Sequence, residues 1–98
     1  MEEVQTYFVS TINQELKTLE NNRNLDTETI IENALEELEE LEDEYKTFVK
    51  ELTDNGEQRK IISAMIKNYQ QRLDILESTL KQIEQIKNPN ILKNEIYI

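Results

Sequence analysis

The chain has 98 residues with one glycine, one proline and no cysteine, and its net charge is −10 from 21 acidic and 11 basic residues. This length favours a single domain, and the scarcity of glycine and proline argues against many short strands. The acidic balance argues against nucleic acid or an anionic membrane surface as partner, because both attract clustered lysine and arginine. The absence of cysteine excludes disulfides and thiolate metal sites.

The first predicted helix covers about residues 2–20. Its apolar side chains recur every three or four residues, which places them on one stripe. They are Val4, Phe8, Ile12, Leu16 and Leu19. The asparagine-rich stretch 21–26 then favours a loop, because asparagine side chains compete for backbone hydrogen bonds.

The second predicted helix covers about residues 27–52. Asp26 or Thr27 can act as its N-cap by accepting hydrogen bonds from free backbone N–H groups. Gly56 favours a stop just beyond its end, because glycine adopts the left-handed conformation easily. Steps of four and three, typical of a coiled-coil seam, separate its apolar residues Ala34, Leu38, Leu41, Tyr45, Phe48 and Leu52.

The third predicted helix covers about residues 57–87 and ends before Pro89, which pushes Asn88 out of helical geometry. The short loop before it requires an antiparallel hairpin with the second helix. Its stripe also alternates steps of four and three: Ile62, Ile66, Tyr69, Leu73, Leu76, Leu80 and Ile83. Residues 88–98 form an apolar tail that either docks on the bundle, begins a linker, or pairs with a partner or a second copy.

These patterns predict an all-α, antiparallel three-helix bundle with a coiled-coil-like hairpin over residues 1–87. The expected core takes its members from all three stripes. It contains Phe8, Ile12, Leu16, Leu19, Leu38, Leu41, Tyr45, Phe48, Ile62, Ile66, Tyr69, Leu73, Leu76 and Leu80.

The residue types offer little for catalysis. The chain has no histidine and no cysteine, so the commonest general base and the best nucleophile are absent. Carboxylate metal sites in helical bundles pair glutamate with histidine, and no calcium loop or glycine-rich phosphate loop is present. We therefore expect no enzyme activity, no cofactor and no metal ligands.

Two features are candidates for binding a protein partner. Tyr7 and Phe8 either pack the first helix onto the others or anchor a partner, since aromatic side chains are enriched at interaction sites. The acidic stretch ALEELEELEDEY, residues 34–45, is either the solvated face of a helix or a docking surface for a basic protein. Its candidate binding residues are Glu36, Glu37, Glu40, Asp43 and Glu44.

Basic residues of the third helix can offset part of the negative charge of the acidic stretch. Lysine and arginine alternate with acidic residues there, so part of the charge can be neutralised across the hairpin. The residues concerned are Lys60, Lys67, Arg72, Lys81 and Lys87.

The order of a short first helix, an asparagine-rich link and a long hairpin resembles the N-terminal Habc domain of Qb- and Qc-type SNARE proteins, the Vti and syntaxin-six-like (Tlg) groups. The stretches that carry it are YFVSTINQELKTL, IIENALEELEELEDEYKTFVKEL and GEQRKIISAMIKNYQQRLDILESTL. The resemblance covers residues 4–86 and rests on helix order, length and stripe rather than on a diagnostic motif. No family site carries over to a residue here.

The resemblance implies a non-catalytic regulatory domain in vesicle trafficking that binds adaptors, tethers or the fusion machinery. It places the chain on the cytosolic face of Golgi or endosomal membranes. The chain departs from a complete SNARE because no SNARE core motif or membrane anchor follows the bundle. The resemblance therefore requires a fragment in which residues 88–98 begin a linker.

Two alternatives come from other classes of protein. One is a small acidic inhibitor of a basic, nucleic-acid-binding protein. The other is a structural subunit of a larger helical assembly, including a homodimer through residues 88–98. A cytoplasmic location without direct membrane insertion is expected, because the start Met1-Glu2-Glu3 is acidic where a signal peptide is basic and no apolar run approaches about 20 residues.

Overall fold

A computed structural model describes residues 2–88. It contains three helices, α1 (Glu2–Asn21), α2 (Glu28–Asn55) and α3 (Arg59–Lys87), and confirms the all-α three-helix bundle. The second helix continues past its predicted end at Leu52. The tail 89–98 lies outside the described residues, so its docking and its role in a homodimer stay predictions.

The third helix is the centre of the bundle. It packs along both α1 and α2, whereas α1 and α2 make few direct approaches to each other. A hydrogen bond from Lys87 to Asn22 brings the ends of α3 and α1 together, so these two helices run parallel. At 1.5 Å per residue α1 spans about 30 Å and α3 about 43 Å. The tip of the α2–α3 hairpin therefore extends beyond the start of α1.

The predicted stripes of α1 and α2 face the core. Phe8, Ile12 and Leu19 are buried on α1, and Ala34 and Leu38 on α2. The other buried apolar residues are Ile31, Met65, Tyr69, Leu76 and Ile83. The remaining members of the expected core are half-buried: Leu16, Leu41, Tyr45, Phe48, Ile62, Ile66, Leu73 and Leu80.

The stripe predicted for α3 was placed too far to one side of the helix. The buried positions of α3 include the polar residues Asn68, Arg72 and Thr79. Because α3 packs against two helices, its buried face is broader than the predicted stripe and includes these polar residues. Each has a hydrogen-bond partner, as buried polar groups require. Thr79, for example, donates to the carbonyl of Ile75 in its own helix at 2.7 Å.

The loop between α1 and α2 is organised by Thr27, which is completely buried. Its hydroxyl donates to the carbonyl of Asn22 at 2.8 Å and accepts from the N–H of Asn24 at 2.9 Å. Thr27 occupies the predicted N-cap position, but its side chain makes no capping hydrogen bond to α2. The predicted capping role was wrong because the loop uses the hydroxyl.

Two further contacts define the ends of the helices. Arg23 bridges Glu20 at 2.9 Å and Glu32 at 2.6 Å, which links the end of α1 to α2. At the other end of α2, Gly56 has φ of 80° and donates its N–H to the carbonyl of Leu52 at 2.9 Å. Gly56 therefore terminates α2 as predicted, in a conformation that disfavours other residues.

Candidate partner-binding groove

A groove of about 330 Å³ lies between α1 and α2, above α3. It exists because both helices pack on α3 and not closely on each other. Four apolar side chains and one buried cation line its base, and polar side chains of α2 form one wall. The lining residues are Ile12, Leu16, Leu35, Leu38, Glu39, Glu42, Asp43, Lys46 and Arg72.

The apolar base of the groove comes from the edges of two stripes. Ile12 and Leu16 are four residues apart on α1, and Leu35 and Leu38 are three apart on α2, so each pair projects from one face. Leu16 and Leu35 are only half-buried. Val9 is 41% exposed and lies one turn before Ile12 on the same edge of α1. The groove thus offers apolar area that the bundle itself does not cover.

The acidic wall of the groove differs from the set of residues chosen from sequence. Of that set only Asp43 lines the groove, where it joins Glu39 and Glu42. Glu36 and Glu40 are exposed on the outer crest of α2. The predicted acidic surface is therefore divided.

The other two acidic candidates lie on the α3 side of α2. Glu37 faces Asp74 of α3 across a shallow recess. Glu44 accepts a hydrogen bond from the amide of Asn68 at 3.2 Å. The glutamates of one short stretch thus serve three different surfaces, because successive helical residues are turned by about 100°.

The basic residues of α3 form no ion pair with this acidic stretch in the described part of the chain. Among residues 2–88 the only ion pair that involves the acidic stretch is Lys46 with Asp43, both exposed and 4.0 Å apart. Such a surface pair contributes little. Arg72, which was expected to help, lies buried inside the bundle. In residues 2–88 no ion pair therefore crosses the hairpin, and Arg72 shares the groove with the carboxylates Glu39, Glu42 and Asp43 without pairing with them.

The two aromatic candidates near the start of α1 differ in burial. Phe8 is 9% exposed and stacks on Tyr69, with ring centroids 5.3 Å apart and planes at 4°. It is a core residue and was wrong as a partner anchor, because α3 already covers its ring. Tyr7 is 63% exposed and touches Phe8 only edge-on, so its ring is accessible to a partner.

A polar layer ties the three helices together beneath the groove. Tyr69 of α3 donates to the hydroxyl of Tyr45 of α2 at 2.7 Å, and Gln5 of α1 donates to the same oxygen at 3.4 Å. Burial, and then the hydrogen bond with Tyr69, raises the pKa of Tyr45 above its usual range. The Tyr45 phenol therefore stays neutral in any ordinary buffer.

Sequence reasoning missed Arg72 and Asn68. Arg72 is 8% exposed, and its Nε donates to Asn68 Oδ1 at 2.9 Å. Helical spacing alone would have predicted that Arg72 is buried, because it follows Tyr69 by three residues and precedes Leu76 by four. The predicted stripe contained only apolar residues and so left Arg72 out, since arginine is seldom buried.

A second recess of about 450 Å³ lies between α2 and α3 on the opposite side of α2. It is larger, but three of its nine lining residues are apolar against four of nine in the α1–α2 groove, and it carries an acidic residue from each helix, Glu37 and Asp74. The α1–α2 groove offers the better surface for a partner because an apolar base supplies most of the free energy of association.

Comparison with protein-family models, with curated proteins and with solved structures finds no match to this chain. In residues 2–88 no three acidic side chains are arranged to hold a metal ion. None of the three described helices has the length and apolar character needed to cross a membrane.

Proposed function

We propose that this chain is a non-catalytic protein-interaction module whose α1–α2 groove binds an amphipathic helix of a partner protein. The partner helix carries lysine or arginine along the edge that faces Glu39, Glu42 and Asp43. One observation supports this most directly. The groove combines an apolar base with carboxylates that, apart from the Lys46–Asp43 contact, form no ion pair within residues 2–88.

A helix suits the shape of the groove. A fourth helix laid between α1 and α2 would complete a four-helix arrangement, in which each helix buries one stripe. Apolar side chains at positions i, i+3, i+4 and i+7 of such a helix would meet Ile12, Leu16, Leu35 and Leu38. Charge on the wall would then select the orientation and the partner more than it would add affinity.

The test uses a helical peptide of about 18 residues, with leucine on one face and lysine on both edges. A scrambled peptide of the same composition is its control. We expect the double variant Glu39→Lys, Glu42→Lys to weaken binding about tenfold, because two attractive contacts become repulsive. Binding is measured by calorimetry at low and moderate salt.

The matched control is Glu36→Lys with Glu40→Lys. It changes the net charge equally but acts on the outer crest of the same helix. We expect it to weaken binding by no more than roughly threefold, since exposed charges at longer range are screened by salt. Equal losses in the two double variants would remove the groove from the proposal.

That result would favour the second candidate, an acidic inhibitor of a basic, nucleic-acid-binding protein. The observation behind it is the exposed crest of Glu36, Glu39, Glu40 and Asp43. Such a protein would bind through the whole acidic face, and its affinity would fall steeply with added salt. Affinity unaffected by salt would argue against it.

The narrower proposal of a SNARE regulatory domain draws support only from helix order and the long hairpin. Its test is binding of the chain to purified trafficking adaptors and tethers. If none of them binds while the leucine–lysine peptide does, the groove serves another class of partner.

A further inference from the structure

Arg72 is a buried cation at the base of the groove. Its Nε is fixed by Asn68 Oδ1 at 2.9 Å, and Asn68 is itself held by the carbonyl of Leu41 at 2.8 Å. The guanidinium carbon lies 4.9 Å from the centre of the Tyr69 ring and 5.1 Å from that of Tyr45. One edge of the guanidinium is therefore anchored, and the side chain has little freedom to leave.

The other edge of the guanidinium has no partner in residues 2–88. Nη1 and Nη2 make no hydrogen bond there, and no carboxylate lies within ion-pair distance. Arg72 also lines the groove, so this edge borders the space that a partner would fill. Neither nitrogen is fully enclosed, so water meets this edge of the guanidinium in the free chain. The rest of Arg72 is buried without a counter-charge, which is costly, and contact with two aromatic rings offsets part of that cost.

We infer that Arg72 receives a carboxylate from the apolar face of the docked helix. This inference rests on the proposed function and specifies its partner. Paired N–H groups of a guanidinium bind a carboxylate with two parallel hydrogen bonds. The partner helix therefore carries one glutamate or aspartate among its apolar residues, in addition to basic residues along its edge.

The acidic wall determines how that carboxylate arrives. Glu39, Glu42 and Asp43 repel a free anion, and the chain as a whole is strongly negative. A carboxylate carried on a helix overcomes this repulsion, because its leucine face is buried on Ile12 and Leu16 while its lysines meet the wall. The groove thus discriminates between a helical partner and a small anion.

The experiment compares two peptides that differ in one residue. Both are leucine–lysine helices of about 18 residues, and the central position of the apolar face is glutamate in one and glutamine in the other. We expect the glutamate peptide to bind the wild-type 98-residue chain about tenfold more tightly, because glutamine has the same shape but no charge. Acetate alone is expected to leave the side-chain N–H resonance of Arg72 unchanged.

Arg72→Met is the matching change in the protein. It keeps a long side chain against Tyr45 and Tyr69 but removes the charge. We expect the two peptides to bind this variant within roughly twofold of each other. Its helicity by circular dichroism is measured alongside, and the comparison on wild type remains decisive if the variant is unstable.

The possible failures are distinct. If both peptides bind wild type equally and better than a scrambled peptide, the role of Arg72 is wrong and the helix-binding function stands. If neither binds better than the scrambled peptide, the proposed function and the role of Arg72 both fall. A shift of the Arg72 resonance with acetate alone would replace the helix-borne carboxylate with a simple anion site.

Discussion

The two ends of the α2–α3 hairpin differ in how deeply their side chains are buried. At the end that α1 covers, Leu19, Ile31 and Leu76 have no solvent-accessible surface. At the other end α2 has no buried residue after Leu38, and α3 has none before Met65. The three-helix core is therefore confined to one end, and the tip is held by two helices alone.

This difference shows that α1, rather than the length of the hairpin, determines where stability resides. Burial of apolar surface is the main favourable contribution to folding, and regions with fewer buried contacts open locally at lower free energy. The tip around Gly56 should exchange its amide protons by local opening. The covered end should exchange them only by global unfolding.

The largest expected effect is that of Leu76→Ala at the covered end. Removing this fully buried side chain should lower the free energy of unfolding by about 2–5 kcal/mol, because the cavity cannot collapse completely. Urea denaturation measures the loss. Leu52→Ala, a half-buried position at the tip, is the control and should lose clearly less. Equal losses would mean that both ends are packed alike.

Thr27→Val should have an intermediate effect. The variant keeps the shape of the buried side chain but leaves the carbonyl of Asn22 and the N–H of Asn24 without their partner. We expect a loss of about 1–3 kcal/mol in denaturation experiments. Thr53→Val is the matched control at the tip, because its exposed hydroxyl bonds only within its own helix. A loss no greater than that of the control would show that the loop does not depend on Thr27.

Glu15→Gln should have the smallest effect, and it should be stabilising at neutral pH. Glu15 is half-buried on α1, and its Oε2 has no hydrogen-bond partner among the described residues. Burial raises the pKa of its carboxyl, and the charge of Glu77 on α3 raises it further. The Glu15 carboxyl therefore keeps its proton to a higher pH in the folded chain than in the unfolded chain.

The sign of the pH dependence follows from linkage. A carboxyl whose pKa is higher in the folded state makes the protein more stable as pH falls from neutral through that pKa. The advantage of Glu15→Gln should thus shrink on acidification, as thermal unfolding at neutral pH and about pH 5 would show. Glu57→Gln, exposed near the tip, is the control. A wider advantage at low pH would contradict the burial of Glu15.

Sequence alone predicted the helices because their signals are local. The stripe of α1 and the seam of α2 follow from spacing, and Gly56 marks a stop through its own backbone freedom. Local signals failed at Thr27, whose hydroxyl could serve the helix or the loop equally well. They also failed on α3, because periodicity shows that a helix has a buried face but not how many neighbours share it.

The groove could not be predicted because it depends on which helices pack together. Ile12, Leu16 and Leu38 were recognised as stripe residues, and in a closed bundle they would be covered. They line an open groove because α1 and α2 meet α3 and not each other. Arg72 was missed for the same reason, since its burial follows from the shared face of α3.

The parallel pairing of α1 with α3 has a consequence for folding. The contact between Asn22 and Lys87 joins positions 65 residues apart, whereas the α2–α3 hairpin closes through a short loop. Because distant contacts form slowly and local ones quickly, we expect the hairpin to form first and α1 to dock last. The groove exists only after α1 has docked. A partner helix bound in the groove would therefore slow the dissociation of α1 from α3 without contacting the hairpin tip.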